Sequence, residues 1–555
     1  MLCVAHALNW GRKALASVGL AAASGLLFSQ PGVCADGPLV VTDAGAVQGL
    51  STPTGSSYLG IPYAAPPLGP LRWKAPAPAQ AWRGVRPATT AGQACKQDGT
   101  LPPAGVSGSG EDCLYLNVHV PAQAGNSGPL PVMVWIHGGQ FLTGAGAQYD
   151  GGELARAANV IVVTLNYRLG IFGLLALDAL SAEQPAGNYA LQDQQAALRW
   201  VKRNIGAFGG DAGKVTIFGQ SAGSAGVCQQ LVSPGAAGLF HRAIAQSGPC
   251  TAATGTREHA LATGNAFART LGCAAGPAQL ACLRSKSADE VLAAAPTLNF
   301  EDLRSLTAIT PWVDGVVLPG QPKDLIQQGR FNRVPVMIGN ARDEGRLIIG
   351  LAYDVRRGSP LTEAEYQNMV TGLAGNATMA SLVTSDYSSK RLGSPGLAAS
   401  ALITDSVYAC GSQWTARALS GHAPTYVYEF QEPGPRLVAD PYMDWGAYHE
   451  AELAYLFRSA MPTTPPIPAL MEVATASQSA LAAQMAQYWG RFAATGNPNG
   501  TASPSSPGYW PAFSSLWQVT QLLKASGVVT DLPSGVYMRH QCLVWDLAQQ
   551  LGLGF

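Results

Sequence analysis

The sequence predicts an α/β fold built on a large, mainly parallel central sheet flanked by helices. Three observations predict it. Apolar runs rich in valine and isoleucine recur along the chain, helix-like stretches separate them, and a G-x-S-x-G turn, "FGQSAGSAG" (218–226), sits where one such run passes into a helix. Strands buried on both faces read as continuous apolar runs, and their alternation with helices favours parallel pairing.

The elements follow in order. "LPVMVWIH" (130–137) and "NVIVVTLNY" (159–167) are strands by this criterion. "NYALQDQQAALRWVKRNIGAF" (188–208) places Leu191, Ala197, Leu198, Val201 and Ile205 at helical spacing. "KVTIFG" (214–219) is a strand, "SAGVCQQLVS" (224–233) a helix, and "HRAIAQSG" (241–248) and "VPVMIGN" (334–340) further strands. Ser221 therefore follows a strand directly and precedes a helix directly. On so sharp a turn its neighbours meet other backbone, which gives Gly219 and Gly223 a steric reason to be glycine. That setting separates the motif from a chance match in a chain with 64 glycines.

The bulk composition bounds the function classes. With 555 residues, 47% of them hydrophobic, the chain can bury a large core. Charged residues are only 12%, against roughly 25% in average domains. The 34 basic and 34 acidic side chains cancel, and no lysine/arginine cluster marks a nucleic-acid footprint. Arg12 and Lys13 precede an apolar run, Ala14 to Phe28, and then Val33-Cys34-Ala35. This is the order of a secretory signal, with cleavage expected after Ala35. The run is short of the ~20 residues a spanning helix needs, and Pro31-Gly32-Val33 argues against lipid attachment at Cys34. The expected organisation is a signal peptide over 1–35 and one domain over 36–555. Gly/Pro/Ser-rich stretches at 99–110, 122–131 and 500–508 are short enough to be surface loops. Export permits disulfides, and eight cysteines remain in the mature chain with no zinc-like spacing among them.

A serine nucleophile needs a base and an acid to orient it. With the order serine, acid, histidine, the bases left open are His241, His259, His422, His449 and His540. His449 is preferred because "WGAYHEAELAYLF" presents it from a loop entering a helix. "VPVMIGNARDEG" delivers Asp343 and Glu344 just past a strand as candidate acids. The oxyanion that develops on a tetrahedral intermediate needs preset N–H donors, each typically worth ~3 kcal/mol. "WIHGGQF" supplies Gly138 and Gly139 after a strand, and the amide of Ala222 follows the nucleophile.

Several longer stretches carry a resemblance. "GIPYAAPPLGPLRWKAP" (60–76), "EDCLYLNV" (111–118), "HGGQF" (137–141), "NYRLGIFGLL" (166–175), "FGGDAGKVTIFGQSAG" (208–223) and "MRHQCLVWDL" (538–547) occur in sequence order. Together they resemble the type-B carboxylesterase family, which includes cholinesterases and bacterial esterases, over nearly all of the mature chain. The resemblance implies an α/β-hydrolase fold and a secreted or periplasmic serine esterase that uses no cofactor and no metal. Ser221 aligns with the nucleophile, Glu344 rather than Asp343 with the acid, and His449 with the base. Gly138, Gly139 and Ala222 match the oxyanion hole, and Ser247 a serine that supports the site from behind. It also implies the pairs Cys95–Cys113, Cys273–Cys282 and Cys410–Cys542. Cys228 and Cys250 are left over, and they form either a fourth bridge behind the nucleophile helix or two buried thiols.

Departures from the family pattern narrow the substrate. Cholinesterases grip a cation on an aromatic face, but the loop between Cys95 and Cys113 contains no aromatic residue, and neutral Gln220 stands where they have glutamate. Both changes argue against choline esters. Glu450 follows the base where glycine is common; it either adds to the charge of the pocket or faces solvent, and the expectation is that it faces solvent. The substrate pockets are expected to be lined from loops, among them 287–310, 345–395 and 431–448. A lipase, a carbamate or amide hydrolase, and a cholinesterase-like binding protein without catalysis are the competing readings. The intact Ser221, Glu344 and His449 argue against the last. The expected partner is a small-molecule ester.

Overall fold

An eleven-stranded sheet forms the spine of the molecule, seen in a computed structural model. The structure describes residues 37–98, 108–125, 128–184, 187–296, 309–374, 377–434, 442–458 and 475–550. The expected signal segment 1–35 lies outside them, as does most of the stretch between Cys95 and Cys113. In chain order the strands are β1 (Leu50–Thr52), β2 (Gly55–Pro62), β3 (Tyr115–Pro121), β4 (Leu130–Ile136), β5 (Ile161–Leu165) and β6 (Gly210–Gln220). They continue with β7 (Arg242–Gln246), β8 (Val336–Ala341), β9 (Thr425–Phe430), β10 (Gln521–Leu523) and β11 (Val529–Thr530). Their order across the sheet is β11-β10-β9-β8-β7-β6-β4-β5-β3-β2-β1. The block from β10 to β5 is parallel throughout, and antiparallel strands close both edges.

The apolar runs become strands because both faces are covered. On β4, Val132, Val134 and Ile136 share one core with Leu198 and Val201 of helix α1 (Tyr189–Asn204). Met133 and Trp135 turn the other way, into a second core with Met485 and Trp489 of the later helix Ala476–Thr495. Helix α2 (Ala222–Val232) follows β6 directly. The parallel register sets Gly219 beside Ile136 and Gln220 beside Gln246. The carboxyl ends of β4, β6, β7 and β8 thus open on one edge, where ligands bind in sheets of this kind.

One expectation is corrected here. Segment 345–395, read as loop, is mostly helical: Gly345–Ile349, Glu363–Ala374, Ala377–Asp386 and Ser389–Leu392. It continues through Pro395–Ile403 and a π-helical turn, Thr404–Ala409, into Cys410–Ser420. Apart from Cys410–Ser420, whose Ala416 and Leu419 join the core against the sheet, these helices do not pack on the sheet as α1 does. They share a third core built around Tyr366, Val370, Leu402 and Trp545. Within 287–310, Ala288–Ala293 is also helical, capped by Ser287 and Glu290. Residues 431–434 and 442–448 carry no regular element, as expected of a loop.

Candidate active site

Ser221 caps α2 with φ 58° and ψ −125°, a conformation that L-residues avoid. Its backbone is held there from both sides. Its N–H donates to Gln246 O at 2.9 Å and its carbonyl accepts from Ala225 N at 3.0 Å. The flanking glycines are required by space. A β-carbon at Gly223 would stand 2.0 Å from Ile136 O, and one at Gly219 would stand 2.6 Å from the Gly223 carbonyl. Turn, strand β4 and helix α2 therefore close on each other with no room for a methyl group.

The acid and base come from separate elements that the sheet edge brings together. Glu344 lies just beyond β8 and is fully buried. Its Oε1 accepts from Ala341 N at 2.7 Å, and its Oε2 lies 2.5 Å from His449 Nδ1. Asp343, the other candidate acid, is engaged elsewhere: it pairs with Arg342 and Arg346 and accepts from Ala447 N at 2.9 Å. It thereby holds the loop that presents His449. The second imidazole nitrogen, Nε2, lies 3.0 Å from Nε2 of Gln220, the residue preceding Ser221. With Nδ1–H facing the carboxylate, Nε2 carries the lone pair and accepts from that amide. Among the described residues, His449 is thus joined to Glu344 and Gln220, and not to the Ser221 hydroxyl.

Burial alone would push the His449 pKa down, but the adjacent Glu344 carboxylate outweighs it and the net direction is up. The other histidines are committed elsewhere. His540 is buried between Asp405 (2.5 Å) and Glu429 (2.6 Å), and these carboxylates overcome its burial to push its pKa up to about 10. His241 accepts from Val215 N, while His259 and His422 are exposed or only weakly bonded. His137 stacks on Tyr167 and burial lowers its pKa to about 4, so it stays neutral.

The glycine pair after β4 abuts the serine. A β-carbon at Gly138 would stand 3.2 Å from the Ser221 β-carbon. Gly139, Gln140 and Phe141 then have φ of 99°, 58° and 58°, three successive residues in the left-handed region. Ala222 opens α2, where first-turn N–H groups lack intrahelical partners. Ser247, just beyond β7, is buried on the edge of the same site with φ 52° and its hydroxyl unpartnered. The Cys95–Cys113, Cys228–Cys250, Cys273–Cys282 and Cys410–Cys542 pairs are all bridged. A cavity of about 390 Å³ opens onto Ser221 and Ala222, with aromatic walls from Phe141, Tyr408 and Trp414. No acidic, basic or histidine side chain lines it among the described residues.

Sequence reasoning missed one carboxyl, Glu452, and read a second, Glu450, as facing solvent. Glu452 is buried three residues beyond His449, accepts from Gln246 Nε2 at 3.1 Å, and has its pKa pushed up to about 7 by burial and by Glu344. The i+3 spacing in "HEAE" was the available signal. Glu450 is half-buried rather than solvent-facing, with φ 80°. That left-handed backbone explains why glycine suits the position. Its carboxyl adds to the upward shift of His449. Glu450→Gly is expected to gain about 1 kcal/mol of stability by relieving the strain, and Glu450→Gln to move the acid limb of the pH–rate profile down. Thermal melts and pH profiles of the two variants check each effect separately.

Sheet order, turn and helix placement define the α/β-hydrolase fold. A profile described as the carboxylesterase family matches residues 36–531. The chain is similar to para-nitrobenzyl esterase of Bacillus subtilis (strain 168), 36% identical over 507 residues, covering 89% of this chain and 96% of that protein. It is also similar to "Cocaine esterase" of Homo sapiens, 36% identical over 502 residues, covering 86% of this chain and 84% of that protein. Among solved structures a PNB esterase matches with a TM-score of 0.74 at 34% identity, covering 91% of this chain and 99% of that chain. The chain belongs to the carboxylesterase family, and its activity is that of a carboxylic ester hydrolase.

Proposed function

We propose that the protein is an exported serine carboxylesterase that works through an acyl-enzyme on Ser221. The observation that carries the mechanism is the Ser221 turn beside the Glu344–His449 pair, at the mouth of a cavity that no charged side chain lines among the described residues. His449 Nε2 exchanges the Gln220 amide for the adjacent Ser221 hydroxyl and takes its proton as Oγ attacks the ester carbonyl. Glu344 keeps Nδ1 protonated and stabilises the imidazolium. The carbonyl oxygen, now negative, is met by backbone N–H groups of Gly138, Gly139 and Ala222. His449 returns the proton to the leaving alcohol, and water activated by the same nitrogen releases the acid. Ser247 supports the turn from behind.

The partly aromatic walls fit neutral esters, and among the described residues they offer a cation no carboxylate. Four bridges and the signal-like order of residues 12–35 support export, to the medium or the periplasm, with 36–555 acting as one hydrolase domain. Among the described residues no helix is long and apolar enough to cross a membrane.

A serine-directed fluorophosphonate, followed by peptide mass mapping, tests the mechanism. The label is expected on Ser221, with loss of turnover of p-nitrophenyl esters in proportion to labelling. Labelling elsewhere, or full activity in labelled protein, overturns it. Soluble esters hydrolysed faster than emulsified triglyceride separate an esterase from a lipase.

A further inference from the structure

The Cys228–Cys250 bridge stands apart from the other three because both of its cysteines line the cavity that opens onto Ser221. Cys228 lies seven residues beyond Ser221 on α2, two turns along the same face. Cys250 lies three residues beyond Ser247. Both are nearly inaccessible to bulk solvent. The segment from Ser247 to Thr254 lines the cavity without interruption, so one wall is a single stretch of chain.

Pro249 packs against Gly411, but few side-chain hydrogen bonds tie that stretch to its surroundings. At its start, Gly248 O accepts from Ser224 Oγ at 2.7 Å. At its end, Thr254 exchanges two hydrogen bonds with the Gln321 side chain, at 2.9 and 2.8 Å. Between these ends Thr251 Oγ1 donates to Gly411 O at 3.2 Å and accepts a long bond from Thr415 Oγ1 at 3.4 Å. The disulfide is the covalent tie from the middle of this wall to the helix that carries the nucleophile.

We propose that the Cys228–Cys250 bridge is a specificity-determining element: it pins wall 248–254 to α2 and so limits the bulk of the ester group accepted beside Ser221. This rests on the serine-esterase reading and adds which part of the site measures the substrate. A tether at this point fixes the distance between wall and nucleophile helix. Without it, the wall can retreat at the cost of a few hydrogen bonds, and larger neutral groups gain room. Small esters do not reach the wall and gain nothing.

The test is kcat/KM over p-nitrophenyl esters from acetate to dodecanoate, with benzoate as a rigid bulky acid. Cys228→Ser/Cys250→Ser removes the tether while nearly conserving volume. The ratio of kcat/KM for octanoate or benzoate to that for acetate is expected to rise about 10-fold, the scale on which a pocket discriminates by a methylene or two. Ala252→Leu keeps the bridge and thickens the same wall, and it is expected to shift the profile toward acetate. It also stands in for the double variant should that fail to fold. Profiles that superimpose on the wild type, with only a lower Tm in the double variant, would overturn the proposal and leave the bridge as a staple. A wild-type protein inert on every ester would overturn the esterase reading instead.

Discussion

Ser221→Ala is expected to lower kcat for a soluble p-nitrophenyl ester by about 10⁶-fold, leaving only what binding and the oxyanion donors supply. The size of the effect follows from the absence of a substitute. Ser224, one turn away, donates its hydroxyl to Gly248 O at 2.7 Å. Ser247 lines the same cavity but is nearly inaccessible, and it stands at the end of β7 rather than on the turn. Neither hydroxyl stands on the strained residue between β6 and α2. The substitution is conservative for the fold, because alanine carries the same β-carbon into the φ 58° conformation, and melting temperature should change little. A measured loss below about 100-fold would point to another nucleophile, since other components of such sites contribute 10²–10³ each.

The parts of this site that could be read from sequence are those set by local geometry. Gly219 and Gly223 flank Ser221 because backbone occupies the space where their side chains would be. That constraint appears as letters at fixed spacing. The strands were legible because burial on both faces forces continuous apolar runs, as in β4 and β5. What was not legible depends on pairings between distant segments. Ile403, Val407 and Tyr408 reach the cavity from the π-helical turn and its flank, and that turn is positioned by Asp405 against His540, 135 residues later. Segment 345–395 read as loop because its helices share a core with the C-terminal Trp545 rather than facing the sheet. The contact between Gln220 and His449 was equally hidden: Gln220 was notable in sequence as a missing charge, and its amide on the imidazole depends on how β6 meets the 442–458 segment.

Glu344→Gln should cost kcat about 10⁴-fold, the scale seen when an orienting carboxylate becomes an amide. Both carboxylate oxygens here are acceptors, one from Ala341 N and one from His449 Nδ1. Glutamine has one acceptor and one NH₂ group. If its oxygen faces Ala341, the NH₂ faces Nδ1 and selects the tautomer with the proton on Nε2, which cannot take a proton from Ser221. If its oxygen faces Nδ1, two donors confront each other at Ala341 in a fully buried place, a penalty of about 1–3 kcal/mol. The pH profile separates this from simple loss of fold. A base works only when neutral, so kcat/KM of the wild type rises with pH through the His449 pKa. Although burial opposes it, Glu344 holds that value above the ordinary ~6.5. By linkage, the same shift stabilises the native state fully below the unfolded pKa, and this contribution fades as pH rises through the folded value. Without the carboxylate the dominant upward cause is gone and burial remains, so residual activity in Glu344→Gln should persist to lower pH than in the wild type. An acid limb that did not move would transfer the shift to Glu450 and Glu452, the remaining carboxyls acting on the imidazole.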